Sequence, residues 1–316
     1  MSIKSKQLSL STLRPRIVFV TGATGFIGSV VLERLVATGI AEVTCLLRRP
    51  DATLPKAAQR CTRVYGDIGD VAAYSAALGR SDAVVHLAAA TGAASEAELD
   101  RVNVQGTRVL LDACKSAGVR RFIFMSSIAA AGRDLADYPY ARSKLEGERA
   151  VRESGLDYTL LRPTIVLGER APNWRKLRTL ACLPLIPVFG GGTARVQPVD
   201  VVDVARAVEL ILNDNPPTER VVEIGGPEIL TFADFLRRIR SACRRRGSAL
   251  LPVPIGPVRA LLRVAQRLFG PAFPVGPGQL APFVNDGVAG PNSIHTRLLP
   301  DMAPLDDVLA RIAHAS

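Results

Sequence analysis

The segment Tyr140-Ala141-Arg142-Ser143-Lys144 sets a phenol and an ammonium four residues apart. On a helix that spacing brings both onto one face. A free tyrosine ionises near pH ~10, too high for acid–base work at neutrality. A fixed positive charge beside it favours the phenolate. Such a pair can pass a proton to or from a substrate oxygen. Tyr138 lacks this partner, because position 142 is Arg. A Tyr and a Lys at this spacing are common in unrelated helices, so the pair needs company. Ser126-Ser127 supplies it, closing the apolar run Arg121-Phe122-Ile123-Phe124-Met125, where a hydroxyl would point into a crevice past the strand end. A serine there can donate to a developing alkoxide, and Ser127 is the preferred catalytic hydroxyl. Capping of the strand end by both serines is the plainer alternative.

The residues Gly22-Ala23-Thr24-Gly25-Phe26-Ile27-Gly28 indicate what would stand opposite that phenol. They follow the buried strand pattern Ile17-Val18-Phe19-Val20 and open into Ser29–Val36, which has helical apolar spacing and closes at Gly39. Strand, glycine turn and helix form the dinucleotide-binding context. Side chains at the glycines would block the turn or hold a pyrophosphate off the backbone, and the helix N-terminus offers it free N–H groups. The second strand, Glu42–Leu47, ends at Arg48-Arg49. An NAD-preferring site usually places Asp or Glu there to hold the ribose hydroxyl. A guanidinium would instead pair with a 2′-phosphate, so NADP is expected over NAD; two surface arginines in a loop is the alternative. Asp67, past the third strand, could accept from the adenine amino group or cap the helix that follows.

These groups must be positioned by the elements between them. Strands are expected at Arg63–Tyr65, Asp82–Leu87, Arg121–Met125, Tyr158–Leu161 and Arg220–Ile224. Helices are expected at Val71–Leu78, Glu96–Ala117, Tyr140–Ser154, Val201–Leu212 and, with Thr231 as N-cap and Gly247 as stop, Phe232–Arg246. Nearly unbroken apolar strands alternating with helices predict an α/β fold, a doubly wound parallel Rossmann sheet covered on both faces. Ligands of such sheets gather at the carboxyl ends of the strands, where every residue above falls. Beyond residue 165 prolines and glycines thicken. We expect a disordered tail at 1–15, a Rossmann domain at 16–165 plus about 196–226, and a smaller substrate-binding domain at about 166–195 and 227–316.

Composition narrows the function classes. The 316 residues are 48% hydrophobic and only 5% aromatic, with a net charge of +11. The basic residues are mostly arginines, spread over many segments and not interleaved with aromatics, so nucleic-acid binding is not expected. Cys45, Cys61, Cys114, Cys182 and Cys243 form no CxxC pair and read as buried free thiols of a reducing compartment. With three histidines, no metal site is expected. His86, inside an apolar strand, reads as a satisfied core residue. No stretch approaches the ~20 apolar residues of a membrane span. The basic, acid-free start is compatible with a transit peptide, but a cytoplasmic location is expected.

Taken in order, Thr21–Gly28, Gly66-Asp67, His86–Ala89, Asn103–Thr107, Met125–Ser127, Tyr140–Lys144 and Leu161–Thr164 resemble an extended or atypical short-chain dehydrogenase/reductase of the NAD-dependent epimerase/dehydratase group. The resemblance covers roughly residues 16 to 225. It implies Ser127, Tyr140 and Lys144 as a catalytic triad, with Asn103 supporting Lys144 and Pro163 beside the nicotinamide. The residues expected along the nucleotide are Gly22, Thr24, Gly25, Phe26, Ile27, Gly28, Arg48, Arg49, Asp67, Ile68, Leu87, Ala88, Ala89, Asn103, Tyr140, Lys144 and Pro163. Gln197–Arg206, Glu223–Phe232 and Leu251–Pro254 are similar to a narrower branch related to the complex I 39-kDa accessory subunit, some of whose members keep the nucleotide without catalysis. The loop between Ser127 and Tyr140 is shorter than in many sugar-nucleotide epimerases.

The resulting expectation is hydride transfer between NADP(H) and a small-molecule carbonyl or alcohol, by a monomer or homodimer. The alternatives are a sugar-nucleotide epimerase or dehydratase with tightly held NAD, and a non-catalytic NADP(H)-binding structural or sensor protein. One further segment, Pro257–Phe269, carries Arg259, Arg263 and Arg267 four apart on one face. A basic amphipathic helix of this kind can lie on an anionic membrane; the plainer reading is a helix covering its own core with its arginines to water.

Overall fold

Five residues, Ile17–Thr21, form the strand on which the molecule is organised, because they are apolar on both faces and can be covered from both sides. The structure is a computed structural model that describes residues 17–91, 94–132, 135–213, 220–245, 247, 249–269, 280, 283, 285–290 and 299–314. The expected tail at 1–15, Pro271, Pro274, Pro277 and His295 lie outside the described residues. The chain runs β1 (Ile17–Thr21), α1 (Phe26–Thr38), β2 (Glu42–Leu47), β3 (Thr62–Tyr65), α2 (Val71–Leu78), β4 (Ala83–His86), α3 (Glu96–Leu99), α4 (Gly106–Ala117), β5 (Arg121–Met125), α5 (Pro139–Glu153) and β6 (Asp157–Pro163). It continues with β7 (Val166–Leu167), α6 (Trp174–Ala181), β8 (Leu185–Phe189), β9 (Arg195–Val196), β10 (Val199–Asp200), α7 (Val201–Asn213) and β11 (Val221–Ile224). The last elements are β12 (Leu230–Thr231), α8 (Phe232–Ala242), β13 (Ala249–Val253), α9 (Ile255–Phe269) and α10 (Leu305–His314).

Seven strands form one parallel sheet in the order β11-β6-β5-β4-β1-β2-β3. This is the doubly wound Rossmann arrangement expected from the sequence. The order reverses between β1 and β4, and the strand ends beside that reversal form the ligand crevice of such sheets. Side chains alternate across the sheet. Val18, Val20, Val85 and Ile123 join Val31, Leu32 and Leu35 of α1 and Val204, Val208 and Ile211 of α7 in one core. Phe19, Val84, Phe122 and Phe124 join Tyr74 of α2, Leu110 and Cys114 of α4 and Val151 of α5 in the other. A third core stands apart from the sheet, with Trp174 of α6, Phe235, Leu236 and Ile239 of α8 and Leu309 and Ile312 of α10. Arg311 of α10 reaches Asp200 at 2.5 Å, and Arg206 of α7 reaches Asp301 at 2.6 Å, so ion pairs tie this C-terminal lobe to the sheet.

Three expectations are corrected. The helix expected over Glu96–Ala117 is interrupted by a π-helical turn at Asp100–Gln105, a widening common at functional sites. The helix expected to run to Arg246 ends at Ala242. There Arg244 takes a left-handed φ of 55° and the Arg245 N–H bonds the Arg240 carbonyl, a Schellman closure made without glycine. Four of the five cysteines, distant in sequence, meet in space. The Cys45 thiol lies against that of Cys61 and the Cys243 thiol against that of Cys182, all free, and the latter two are only partly buried. Among the described residues no helix is long and apolar enough to cross a membrane, and no cluster of His, Cys, Asp or Glu could hold a metal.

Candidate functional site

The turn after β1 is shaped by close backbone approach. Gly22 has φ 75°, and a Cβ there would lie 2.5 Å from the Ala88 nitrogen. A Cβ on Gly28 would lie 2.0 Å from the Gly22 carbonyl oxygen. Glycine at both positions therefore lets α1 and the end of β4 close on the turn. Thr21 holds this junction, its carbonyl accepting from the Leu87 N–H at 3.2 Å and its hydroxyl accepting from the Ala88 N–H at 3.3 Å. Helix α1 starts at Gly25 with no capping side chain and no acid in its first turn, and Thr24 and Gly25 are exposed. An uncapped, acid-free N-terminus beside a glycine cradle suits a pyrophosphate. Phe26 leans on Gly168 from the C-terminal lobe, and a Cβ added at Gly168 would lie 2.8 Å from its ring. Ile27 packs against the first core.

On the β2–β3 flank, Arg48 and Arg49 are exposed immediately past β2. Among the described residues neither makes an ion pair. Asp67 is exposed and accepts from the Gly69 N–H at 3.1 Å, so it closes a local turn. It does not cap α2, whose N-cap is Asp70 without a side-chain bond. Ile68 packs under the π-helical turn, within 2.9 Å of where a Gly106 Cβ would stand.

On the other flank, α5 begins with Pro139 at its first position, a preorganised start. Its first turns carry Tyr140, Ser143 and Lys144. The Ser127 hydroxyl faces the Tyr140 phenol closely enough to act on its ionisation, and it accepts from the Ala129 N–H at 3.2 Å. Ser127 therefore caps the short turn that follows its strand and faces the tyrosine. Tyr140 is half-buried. Burial, reinforced by neighbouring Tyr138, pushes its phenol above the usual tyrosine range, and the facing Ser127 hydroxyl only partly opposes this. The expected lowering by Lys144 is not what this arrangement produces. The Lys144 ammonium turns to the Met125 carbonyl at 2.7 Å and lies over the Phe124 ring. Burial pulls Lys144 down to about 8, opposed by Glu148. Asn103 supports the same region from the π-helical turn. It exchanges hydrogen bonds with the backbone of Ala90, at 2.8 and 3.0 Å, and donates to Ser143 at 2.9 Å. Leu87, Ala88 and Ala89 are thereby held between the glycine turn and α5. Pro163 ends β6 opposite Ile224. His86 bonds Thr21 and Thr107 through its two ring nitrogens, and burial pulls it down to about 3. It is the neutral core residue expected.

Beneath the site lies a buried network that the motifs did not single out. Glu148, one turn beyond Lys144 and fully buried, accepts from Ser126 at 2.6 Å and from Arg162 at 2.6 and 2.7 Å. Arg162 also meets Glu223 of β11, whose carboxylate accepts the Gly290 N–H at 2.8 Å. The available signal was the i, i+4 continuation from Tyr140 through Lys144 to Glu148.

Comparisons with known proteins agree with this fold. A model of the NAD dependent epimerase/dehydratase family matches residues 18–225. The chain is 32% identical over 217 residues to the (4-alkanoyl-5-oxo-2,5-dihydrofuran-3-yl)methyl phosphate reductase of Streptomyces griseus, covering 68% of this chain and 69% of that one. It is 27% identical over 247 residues to the mitochondrial NADH dehydrogenase [ubiquinone] 1 alpha subcomplex subunit 9 of Dictyostelium discoideum, covering 74% of this chain. The match spans 66% of that relative, just under two thirds of its length. In fold it is similar to DesIV, a dTDP-glucose 4,6-dehydratase from Streptomyces venezuelae solved with NAD bound. That match has a TM-score of 0.71 at 23% identity over 95% of this chain and 96% of that one.

Proposed function

The chain belongs to the NAD-dependent epimerase/dehydratase family, and from that premise we propose that it is an oxidoreductase moving hydride between NADP(H) and a small carbonyl or alcohol. The nucleotide would rest its pyrophosphate on the N–H groups that open α1, with Gly22, Gly25 and Gly28 giving the backbone room. Arg48 and Arg49 would meet a 2′-phosphate, and the absence of any acid at those two positions is what favours NADP over NAD. When bound, the nicotinamide supplies or accepts the hydride. Every remaining step falls to the chain. Ser127 orients the substrate oxygen, and Tyr140 gives it a proton or removes one. Lys144 leaves the Met125 carbonyl for the ribose and the phenol, bringing the tyrosine back toward a useful range.

The single observation carrying this reading is that Ser127 and Tyr140 face each other at the carboxyl edge of the sheet, close enough for the serine hydroxyl to act on the phenol's ionisation. It gives one substrate oxygen two partners. The test is Tyr140→Phe assayed with NADPH against a panel of ketones and aldehydes. We expect turnover to fall by roughly 10²–10⁴-fold while NADPH affinity stays within a few-fold. Equal turnover by the wild type and the variant would overturn it.

A second reading, nucleotide binding without turnover, is favoured by the Lys144–Met125 bond, which leaves the tyrosine without its cation. It predicts NADPH binding with no consumption against any of those substrates.

A further inference from the structure

Helix α9 is amphipathic in the opposite sense to the one expected. Arg263 bonds Asp137 at 2.5 Å, and Arg259 approaches the same carboxylate at 3.9 Å with its Nε shielded from solvent. Asp137 lies on the body of the protein, three residues before Tyr140. The arginines therefore fasten the helix to the body, where the plainer reading turned them to water; the side chain of Arg267 lies outside the described residues. At ~100° per residue, Leu261, Val264 and Leu268 fall about 140–200° round the helix from Arg259, on its far side. They are 67%, 51% and 72% exposed. The two-stranded sheet whose strand β13 runs into α9 also carries exposed apolar side chains. Ala249 pairs with Leu185 and Leu251 with Pro187, which puts Leu185 and Leu251 on one face, and each is 45% exposed.

Charge indicates what covers this face. The segments 166–195 and 227–316 hold 16 Lys and Arg against 7 Asp and Glu, a net +9 of the chain's +11. Arg175, Lys176, Arg244 and Arg245 are exposed on this lobe. A second copy docking through the same face would bring two strongly positive lobes together. An anionic bilayer meets both requirements, taking apolar side chains into its interface while its headgroups attract the net positive lobe that carries them.

We propose that the exposed face of α9, with the β8–β13 surface beside it, docks this protein onto an anionic lipid surface. Leu261, Val264 and Leu268 enter the interface, and the Asp137 latch holds the helix in the orientation that presents them.

The full chain should be co-sedimented with vesicles of phosphatidylcholine alone and of phosphatidylcholine with about 30 mol % phosphatidylglycerol. We expect the bound fraction to be at least tenfold higher on the anionic vesicles and to fall as salt is raised. Leu261→Glu with Leu268→Glu should lose that binding and keep the wild-type melting temperature, since both side chains are exposed. Val202→Glu with Ile229→Glu adds the same charge at exposed apolar sites elsewhere and should retain it. Absence of binding to anionic vesicles, or equal loss in both double variants, would overturn the proposal. So would a dimer that Leu261→Glu with Leu268→Glu splits without changing vesicle binding.

Discussion

Lys144 donates to the carbonyl of Met125 at 2.7 Å, tying α5 to the end of β5 two residues before Ser127. Lys144 is 3% exposed, and burial holds its ammonium near 8 against an ordinary value of 10.5. A lysine depressed on folding costs stability wherever it is charged. The cost is full below pH 8 and is relieved as pH rises from about 8 to 10.5. At ~1.4 kcal/mol per pH unit the penalty is about 3 kcal/mol, offset by about 1 kcal/mol from the Met125 bond. Lys144→Met is therefore expected to stabilise the protein by ~2 kcal/mol at pH 7 and, once the penalty is gone above pH ~10.5, to cost the ~1 kcal/mol of the lost bond, while turnover is lost. Urea unfolding at the two pH values checks this. A difference independent of pH would contradict it.

The Glu148–Arg162 pair joins α5 to β6, and its two short bonds are shielded from water. Breaking one side leaves the buried charge with only a longer contact, Arg152 at 3.2 Å for Glu148 and Glu223 at 3.3 Å for Arg162. Glu148→Leu or Arg162→Met is expected to cost about 3 kcal/mol, the low end for a broken buried pair, and the double variant less than either single. A urea double-mutant cycle reads this as a coupling energy. Additive losses would mean that the pair is not a unit.

Much of this was readable from residues. The sheet strands follow the apolar runs, and the glycine turn has the close contacts that its composition required. Tyr140 and Lys144 share a helix, and Ser127 stands where its hydroxyl reaches the phenol. What could not be read arises between segments distant in the chain. The Lys144–Met125 bond depends on how deeply α5 sits, because a lysine pulled out of water takes the nearest carbonyl. Glu148 and Arg162 are ordinary residues until β6 and α5 pack and exclude solvent. The two thiol pairs, the π-helical turn and the outward leucines of α9 likewise depend on tertiary packing.

Arg48 and Arg49 stand exposed where the adenosine ribose would lie. Arg48→Ala with Arg49→Ala is expected to weaken NADPH binding by roughly 10–100-fold, the loss of one or two charge-assisted phosphate contacts. NADH affinity should change less than threefold. Equilibrium titration with both nucleotides decides it, and equal losses for the two would remove the argument for NADP.

The account stands on a nucleotide at the N-terminus of α1, and Gly25 tests this most directly. Its φ of −71° suits aspartate, whose Cβ would press only on the Gly22 carbonyl oxygen at 3.2 Å and whose carboxylate could cap a helix that has no side-chain cap. The same carboxylate would repel a pyrophosphate. In a fluorescence titration with NADPH, the wild type is expected to saturate at one equivalent. Gly25→Asp should bind at least about 100-fold more weakly while melting within a few degrees of the wild type. Failure of the wild type to bind either NADPH or NADH, or undiminished binding by Gly25→Asp, would contradict the account.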